Sequence, residues 1–199
     1  MLATANPDKS HEIVAIVAEA AGDRIELLAR PMTVGEVEET GDTLEENARL
    51  KARAVSEATS MPAIADDTGL EVEALGGAPG VWSSRYSGPD ATYDENVEKL
   101  LVELRLAGAR TPAERAARFR TVALAAFPDG REVVAVGAVD GYIATSRRGS
   151  GGFGYDPVFV PSGHDQTFAE MDPAQKHALS HRGRAFRALA VGLVAESSP

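Results

Sequence analysis

The stretch of the chain best suited to chemistry is an adjacent pair of aspartates, Asp66 and Asp67, which follows the apolar residues 63–65. The apolar run predicts a short buried strand, and Gly69 permits a tight turn after the carboxylates. In a parallel α/β sheet, ligands bind at the carboxyl ends of strands, where this pair would then lie. A divalent cation relieves the repulsion between two such acids, and Mg²⁺ prefers one or two carboxylates plus substrate phosphates. A solvated surface turn is the alternative interpretation, because aspartate-rich turns are common.

The first residues predict the end of a strand, a turn and a helix that Asn6 caps, with Pro7 at the first helical position. Free backbone N–H groups and the positive end of the dipole make such a helix start favourable for a phosphate. Lys9 lies in the first turn, where the dipole disfavours a cation, and a docked anion would account for it. An ordinary exposed lysine is the other interpretation.

An acidic loop at residues 36–42 contains Glu38 and Glu39 and precedes a second predicted helix. On that helix Asn47 and Lys51 are four residues apart and therefore share a face. A polar face of this kind is usually solvated, but the neighbouring acids favour a binding site.

The glycine-rich residues 149–157 cannot form the interior of a strand, and loops of this length in compact domains are usually functional. Within the loop, Phe153 and Tyr155 can stack a flat ring, and Asp156 can read its edge. A long surface loop without a ligand is the alternative.

Other parts of the chain predict the elements that position these residues. Residues 26–28, 119–127, 131–139 and 142–145 predict strands, with a turn at 128–130 that makes the middle pair a hairpin. Capping boxes at Thr43/Glu46 and Thr92/Glu95, and the pair Asp172/Pro173, predict three helix starts. We expect one α/β domain over residues 1–199 with two lobes, and residues 107–116 as the only seam.

Composition excludes several classes of protein. The formal net charge is −10, which argues against a nucleic-acid duplex as partner because phosphate neutralisation needs a basic face. The chain has no cysteine, so disulfides, thiolate catalysis and cysteine zinc sites are excluded. The sequence shows no signal peptide and no apolar run that could span a membrane, and we expect a cytoplasmic protein.

Together the candidate residues form a set of parts for metal-assisted attack on a nucleotide phosphate. Glu38, Glu39, Asp66 and Asp67 can hold Mg²⁺ and position a water. The cations that can pair with phosphates are Lys9, Lys51, Lys176 and Arg182. His181 and Arg182 can join Asp156 in reading the edge of a base.

The chain resembles the Ham1-like inosine/xanthosine triphosphate pyrophosphatases. The residues that carry the resemblance are TANPDK at 4–9, EETGDTLEENA at 38–48, ADDTGL at 65–70, LGGAPG at 75–80, GGFGYDP at 151–157, TFAEM at 167–171, and Lys176 with SHR at 180–182. These blocks span nearly the whole chain. Three departures are Thr68 where serine is more frequent, Arg147 where proline is more frequent, and a start inside what should be the first strand.

The resemblance implies an elongated α/β fold with a mixed, twisted sheet and a nucleotide cleft between two lobes. It implies a Mg²⁺-dependent homodimer that converts ITP, dITP or XTP and water to the monophosphate and pyrophosphate. It implies Asp67 as general base or water activator, with Glu38 and Asp67 near the metal. It implies that Glu39, Asn47, Lys51 and Asp66 support the phosphate and the metal. The residues that it assigns to the substrate are Thr4, Ala5, Asn6, Pro7, Asp8, Lys9, Thr68, Phe153, Gly154, Tyr155, Asp156, Lys176, His181 and Arg182.

Three other functions fit parts of the same pattern. A Maf-like nucleotide pyrophosphatase would prefer other bases, and a nucleotide-binding sensor would bind without hydrolysis. A phosphatase with an aspartyl nucleophile fits less well, since that chemistry usually uses acids two residues apart.

Overall fold

The computed structural model describes residues 1–4, 6–35 and 37–196. Its α-helices are α1 (Pro7–Ala21), α2 (Leu44–Thr59), α3 (Tyr93–Leu106), α4 (Pro173–Leu179) and α5 (His181–Glu196). Its strands are β1 (Ala63–Val72), β2 (Pro79–Gly80), β3 (Ala116–Ala126), β4 (Glu132–Ile143) and β5 (Phe159–Pro161). Short 3₁₀ helices lie at Gly22–Arg24, Glu73–Leu75 and Ser83–Arg85. The α/β class predicted from the sequence is confirmed.

The strands form one five-stranded sheet in the order β2-β1-β3-β4-β5. The pairings of β1 with β2 and of β4 with β5 are antiparallel, with Leu70 opposite Gly80 and Tyr142 opposite Val160. Leu2 adds isolated parallel bridges to Ala29 and Ile64. A strand at residues 26–28 is therefore a wrong prediction, because the chain makes only the single bridge at Ala29 there.

Strand β1 corrects the first expectation from the sequence, because Asp66 and Asp67 lie in the middle of this strand and not in a turn. The strand continues through Gly69 to Val72 and is buried over most of its length. It tolerates the acids because lysines from other elements lie against their carboxylates. Of the predicted strand at 142–145, the first two residues are the end of the longer β4, which runs without a break from Glu132 to Ile143.

The helix starts agree with their capping residues. Asn6 accepts hydrogen bonds from the backbone N–H groups of Asp8 and Lys9, and Pro7 is the first helical residue of α1. Helices α2 and α3 each begin with a complete capping box, in which Thr43 or Thr92 pairs with a glutamate three residues on. Such a cap contributes about 1 kcal/mol.

The chain forms two compact units, and each contains its own apolar core. The first unit consists of residues 1–67, 121–137 and 181–199, of which the structure describes the ranges given above. Its core is built on Ile13, Ile16 and Phe186, and α1 packs against α5. The second unit consists of residues 68–120 and 138–180, with a core around Phe119, Phe159 and Phe168.

A glycine of β4 sets how closely α5 approaches the strand within the first unit. A Cβ atom at Gly137 would lie 2.1 Å from the carbonyl oxygen of His181 and 2.5 Å from the backbone nitrogen of Ala185. These distances are far shorter than real carbon contacts, so any side chain at this position would displace the first turn of α5. The described helices include none that is long and apolar enough to cross a lipid bilayer.

Candidate active site

The centre of the candidate site in the first unit is a lysine held by two acids. Lys51 Nζ lies 2.8 Å from Asp67 Oδ1 and 2.6 Å from Glu39 Oε1. Lys51 comes from α2, Asp67 from β1, and Glu39 from the loop before α2. The ammonium group therefore joins α2 to the two segments of the first unit that carry the predicted acids.

A second ion-pair network in the same unit surrounds Asp66, whose side chain is fully buried. Lys9 Nζ lies 3.3 Å from Asp66 Oδ2, and Arg182 Nε lies 3.6 Å from the same oxygen. Arg182 also donates a hydrogen bond to Glu12, and both of these side chains are buried. Three sequence-distant elements, α1, β1 and α5, thus place their charges together.

Burial and neighbouring charges act in opposite directions on Asp67. Burial raises the pKa of the Asp67 carboxyl, Lys51 and Lys9 lower it, and Glu39 raises it again, with a net increase. For Lys51, burial lowers the pKa, but the charges of Asp67, Asp66 and Glu39 outweigh that effect and raise it. The lysine stays protonated at neutral pH, while Asp67 holds a proton more readily than an exposed aspartate. A raised carboxyl pKa is a property of general bases.

Asn47 completes the surroundings of Asp67 in the first unit and is fully buried. Its amide nitrogen lies 3.4 Å from Asp67 Oδ2, and its Oδ1 accepts a hydrogen bond of 2.8 Å from the backbone N–H of Gly41. Asn47 and Lys51 therefore lie on one face of α2, as their spacing predicts, and both contact Asp67.

The start of α1 carries further predicted substrate residues. The hydroxyl of Thr4 accepts a hydrogen bond from the backbone N–H of Asn6, which shapes the turn into the helix. Pro7 and Asp8 are exposed, and Lys9 is half-buried with its ammonium near Asp66. Ala5, also predicted to bind substrate, lies outside the described residues.

In the second unit, the carboxylate of Asp156 organises the predicted base-binding residues. Its Oδ2 accepts hydrogen bonds of 2.8 Å from both Lys176 Nζ and the backbone N–H of Phe153. Lys176 Nζ also lies 5.1 Å from the centre of the Phe153 ring, within the range of a cation–π interaction. The Phe153 ring is only partly covered, and Tyr93 tilts against it at 5.9 Å. This arrangement holds one aromatic ring beside a buried ion pair.

The structure also shows the surroundings of the other predicted site residues. Tyr155 is buried and donates its hydroxyl hydrogen to the carbonyl of Ser83, a contact that ties the loop to Ser83 within the second unit. Gly154 adopts a left-handed φ of 62°. Thr68 is half-buried, and His181 is buried in the first turn of α5. Glu38 is exposed, whereas its neighbour Glu39 reaches Lys51.

The acids of the first unit suit a hard cation that is shared with a substrate. In the ranges that the structure describes, no three His, Cys, Asp or Glu side chains are grouped to hold a metal ion. Mg²⁺ does not require such a cage, since it binds through one or two carboxylates with substrate phosphates and water. The carboxylate oxygens of Asp67 and Glu39 are donors of the right chemistry, so these residues fit Mg²⁺ when it arrives with a polyphosphate.

Sequence reasoning missed Glu12, the buried partner of Arg182. The signal was present, because Glu12 lies directly beside Ile13 on the buried stripe of α1, where an uncompensated acid is costly. A charged residue on an apolar face indicates a partner from another element.

Comparisons with known proteins agree on one family. A model of the Ham1 family matches residues 1–191. A curated relative from Bradyrhizobium sp., named dITP/XTP pyrophosphatase, is 42% identical over 197 residues, which cover 96% of this chain and 91% of the relative. A relative of the same name from Streptococcus pyogenes is 46% identical over 95% of this chain, but the chain spans only 57% of that relative's length. The structure of a HAM1 protein from Coxiella burnetii superimposes with a TM-score of 0.85 at 39% identity, covering 98% of this chain and 97% of that protein. The chain therefore belongs to the Ham1 family.

Proposed function

We propose that the protein hydrolyses non-canonical purine nucleoside triphosphates such as ITP, dITP and XTP to the monophosphate and pyrophosphate. The observation that carries this proposal is the contact of Lys51 with Asp67 and Glu39, which places a buried carboxylate of raised pKa beside a fixed cation. Family membership and the names of the relatives in Bradyrhizobium and Streptococcus support the same activity.

Asp67 acts as the general base in this proposal. It accepts a proton from a water whose oxygen attacks the α-phosphorus, while the bond from that phosphorus to the bridging oxygen breaks and pyrophosphate leaves. Lys51 stabilises the charge that spreads over the phosphate oxygens, which is the main catalytic demand in phosphoryl chemistry. Asp67, together with Glu38 or Glu39, would hold Mg²⁺, which when bound would neutralise charge on the phosphates.

Phosphate binding falls to the start of α1 in the first unit. The capped helix end offers backbone N–H groups, and Lys9 provides a cation in the first turn. The hydroxyl of Thr4 and the side chain of Asn6 hold that turn in place. We assign Thr4 to Lys9, including Ala5, to contacts with the nucleotide.

Base binding involves the loop that contains Phe153 in the second unit. The partly covered ring of Phe153 provides a stacking surface. The Lys176–Asp156 ion pair holds this residue in place, because Asp156 accepts the backbone N–H of Phe153 and Lys176 lies beside the ring. Base–aromatic stacking contributes about 1–3 kcal/mol per base. Stacking alone does not distinguish one purine from another.

Selectivity for a 6-oxo purine requires a donor, and we assign that role to Arg182 with the backbone near His181. An arginine has only donors, so it matches the keto oxygen of hypoxanthine or xanthine and opposes the amino group of adenine. Sites that leave a buried donor unpaired can reject the wrong substrate by roughly 10⁴-fold.

A pyrophosphate-release assay with Mg²⁺ tests the proposed activity across ITP, dITP, XTP, ATP, GTP, dTTP and UTP. We expect the first three to be hydrolysed fastest, and chelation of Mg²⁺ to stop turnover. Hydrolysis of ATP as fast as ITP would contradict the purine selectivity, and a preference for dTTP or UTP would favour a Maf-like specificity. Binding of ITP without pyrophosphate release would favour a sensor.

Substitution tests the role of Asp67. Asp67→Asn should lower kcat by about 10²–10⁴-fold, the usual range for a lost general base, and leave the fold intact. Asp23→Asn, at an exposed site in the same unit, is the control and should retain full activity. An Asp67→Asn variant with near-normal kcat would exclude the assigned role.

We also propose a cytoplasmic homodimer, on the family resemblance alone. Light scattering coupled to size-exclusion chromatography measures the assembly directly, and a monomer at micromolar concentration would contradict it.

A further inference from the structure

Helices α2 and α3 begin in the same way, although they lie in different units. Each starts with a threonine–glutamate capping box, and in each the residue after the glutamate is a buried asparagine: Asn47 in α2 and Asn96 in α3. The shared pattern is T-x-x-E-N. The hydrogen-bond partners of the two asparagines can therefore be compared atom by atom.

Both asparagines fasten the loop that precedes their helix. Oδ1 of Asn47 accepts a hydrogen bond of 2.8 Å from the backbone N–H of Gly41, and Oδ1 of Asn96 accepts one of 2.8 Å from Ser87. Each bond gives a backbone N–H group of the loop a partner within the protein. The first half of each amide therefore has the same structural role.

The amide nitrogens have different partners. Nδ2 of Asn96 donates to the backbone carbonyl of Ser84 at 3.0 Å, which is again a loop contact. Nδ2 of Asn47 instead approaches Oδ2 of Asp67 at 3.4 Å. In α2, the asparagine that holds the preceding loop therefore also contacts the carboxylate of Asp67, the candidate base.

We propose that Asn47 is a positioning residue that couples the acidic loop to the orientation of Asp67. Lys51, one turn further along α2, contacts Oδ1 of Asp67, so two donors from one helix face the two oxygens of a single carboxylate. Rotation of the carboxylate would break one contact or the other. In this proposal Asn47 acts on the reaction through Asp67 and accepts no proton itself.

Gly41 allows the loop to pack closely against the start of α2, next to Asn47. A Cβ atom at position 41 would lie 2.6 Å from Cβ of Glu46 and 2.8 Å from Oδ1 of Asn47, so the backbone rests directly on the helix start. Glu39, two residues earlier, reaches Lys51 from the same loop. A displacement of Gly41 would therefore be transmitted to both partners of Lys51.

Asn47→Asp keeps an oxygen for the N–H of Gly41, removes the donor that faces Asp67 and places a second carboxylate against it. This inference rests on the proposed activity. We expect kcat for ITP to fall about tenfold or more, with KM within about twofold, since the lost contact orients the base and does not touch the substrate. The matched control is Asn96→Asp, which makes the same chemical change at the same helix position and should leave both parameters unchanged.

Hydrogen exchange at the Gly41 amide provides a readout that does not depend on turnover. The amide should stay protected in the wild type and in Asn47→Asp, and exchange rapidly in Asn47→Ala, which removes both contacts. An Asn47→Asp variant with unchanged kcat, a loss of kcat equal to that of Asn96→Asp, or an unprotected Gly41 in the wild type would overturn the proposal. Absence of turnover in the wild type on every nucleotide would count against the proposed function alone, because the exchange experiment still tests the contact with Gly41.

Discussion

Lys51 Nζ lies 2.8 Å from Asp67 Oδ1, so the acid proposed as general base is in contact with a buried cation. The same ammonium group is also bound by Glu39 at 2.6 Å. Because Lys51 lowers the pKa of Asp67 and Glu39 raises it, the two neighbours adjust the base in opposite directions.

Removal of Lys51 should move the acid limb of the pH profile. Asp67 must be ionised to accept a proton, so the limb follows its pKa, which burial already raises. Lys51→Met removes the largest effect that lowers this pKa, and we expect the limb of kcat/KM to move to higher pH. Glu39→Gln removes a charge that raises the pKa and should move the limb to lower pH.

Initial rates of pyrophosphate release across the pH range measure both shifts. Arg53→Met, an exposed substitution on the same helix, is the control and should leave the limb in place. Shifts of the same sign in Lys51→Met and Glu39→Gln would be inconsistent with this electrostatic account.

Loss of Glu12 should destabilise the fold strongly. Its side chain and that of Arg182 are both buried, and removing Glu12 leaves Arg182 and Lys9 to share the single charge of Asp66, an excess of positive charge near the core of the first unit. Glu12→Ala should lower the free energy of unfolding by about 3–5 kcal/mol, the usual cost of breaking a buried pair. Urea denaturation measures this change. The control is Glu19→Ala, on the exposed face of α1, which should change the free energy of unfolding by less than about 0.5 kcal/mol. A similar effect of both substitutions would argue against the importance of the ion pair.

Replacement of the Phe153 ring should weaken substrate binding. Phe153→Leu keeps an apolar side chain but removes the stacking surface, which predicts a rise in KM for ITP of roughly tenfold. Phe127→Leu, which removes another aromatic ring with a cation over its face, is the matched control. Steady-state kinetics with ITP measures both, and an unchanged KM in Phe153→Leu would remove this residue from base binding.

A methyl group at Gly152 should disrupt the Asp156–Lys176 pair. A Cβ atom there would lie 2.0 Å from Oδ2 of Asp156, the oxygen that accepts both hydrogen bonds. Gly152→Ala should therefore raise KM for ITP. Gly76→Ala has a similar φ of +64° but open space around it, so it carries the backbone strain without the contact. Equal kinetic effects of the two variants would show that strain alone is responsible.

The local parts of the site could be predicted from the sequence. The cap at Asn6 and the shared face of Asn47 and Lys51 depend on spacings of a few residues, and the structure has both. The position of Asp66 and Asp67 was predicted to be a turn, because Gly69 usually interrupts a strand, yet the strand continues to pair with β2 at Leu70. Pairing across the sheet outweighed the local preference.

Contacts between segments that are far apart in the sequence could not be predicted from the sequence alone. Glu12 and Arg182 are separated by 170 positions, and no spacing rule joins residues so far apart. Their pairing depends on the packing of α1 against α5. The predicted metal ligand Glu38 and the structurally engaged Glu39 are adjacent in the same loop, and only the backbone path decides which of the two reaches Lys51.

The missing side chain at Gly137 has a consequence for the evolution of the site. Because the first turn of α5 packs on the backbone of Gly137, the location of Arg182 relative to Glu12 and Asp66 depends on a residue that has no side chain. Mutational tolerance at position 137 should thus be as narrow as at the acids themselves. Even alanine, the smallest alternative, would push the arginine away from its carboxylates while leaving every charged group in the sequence intact.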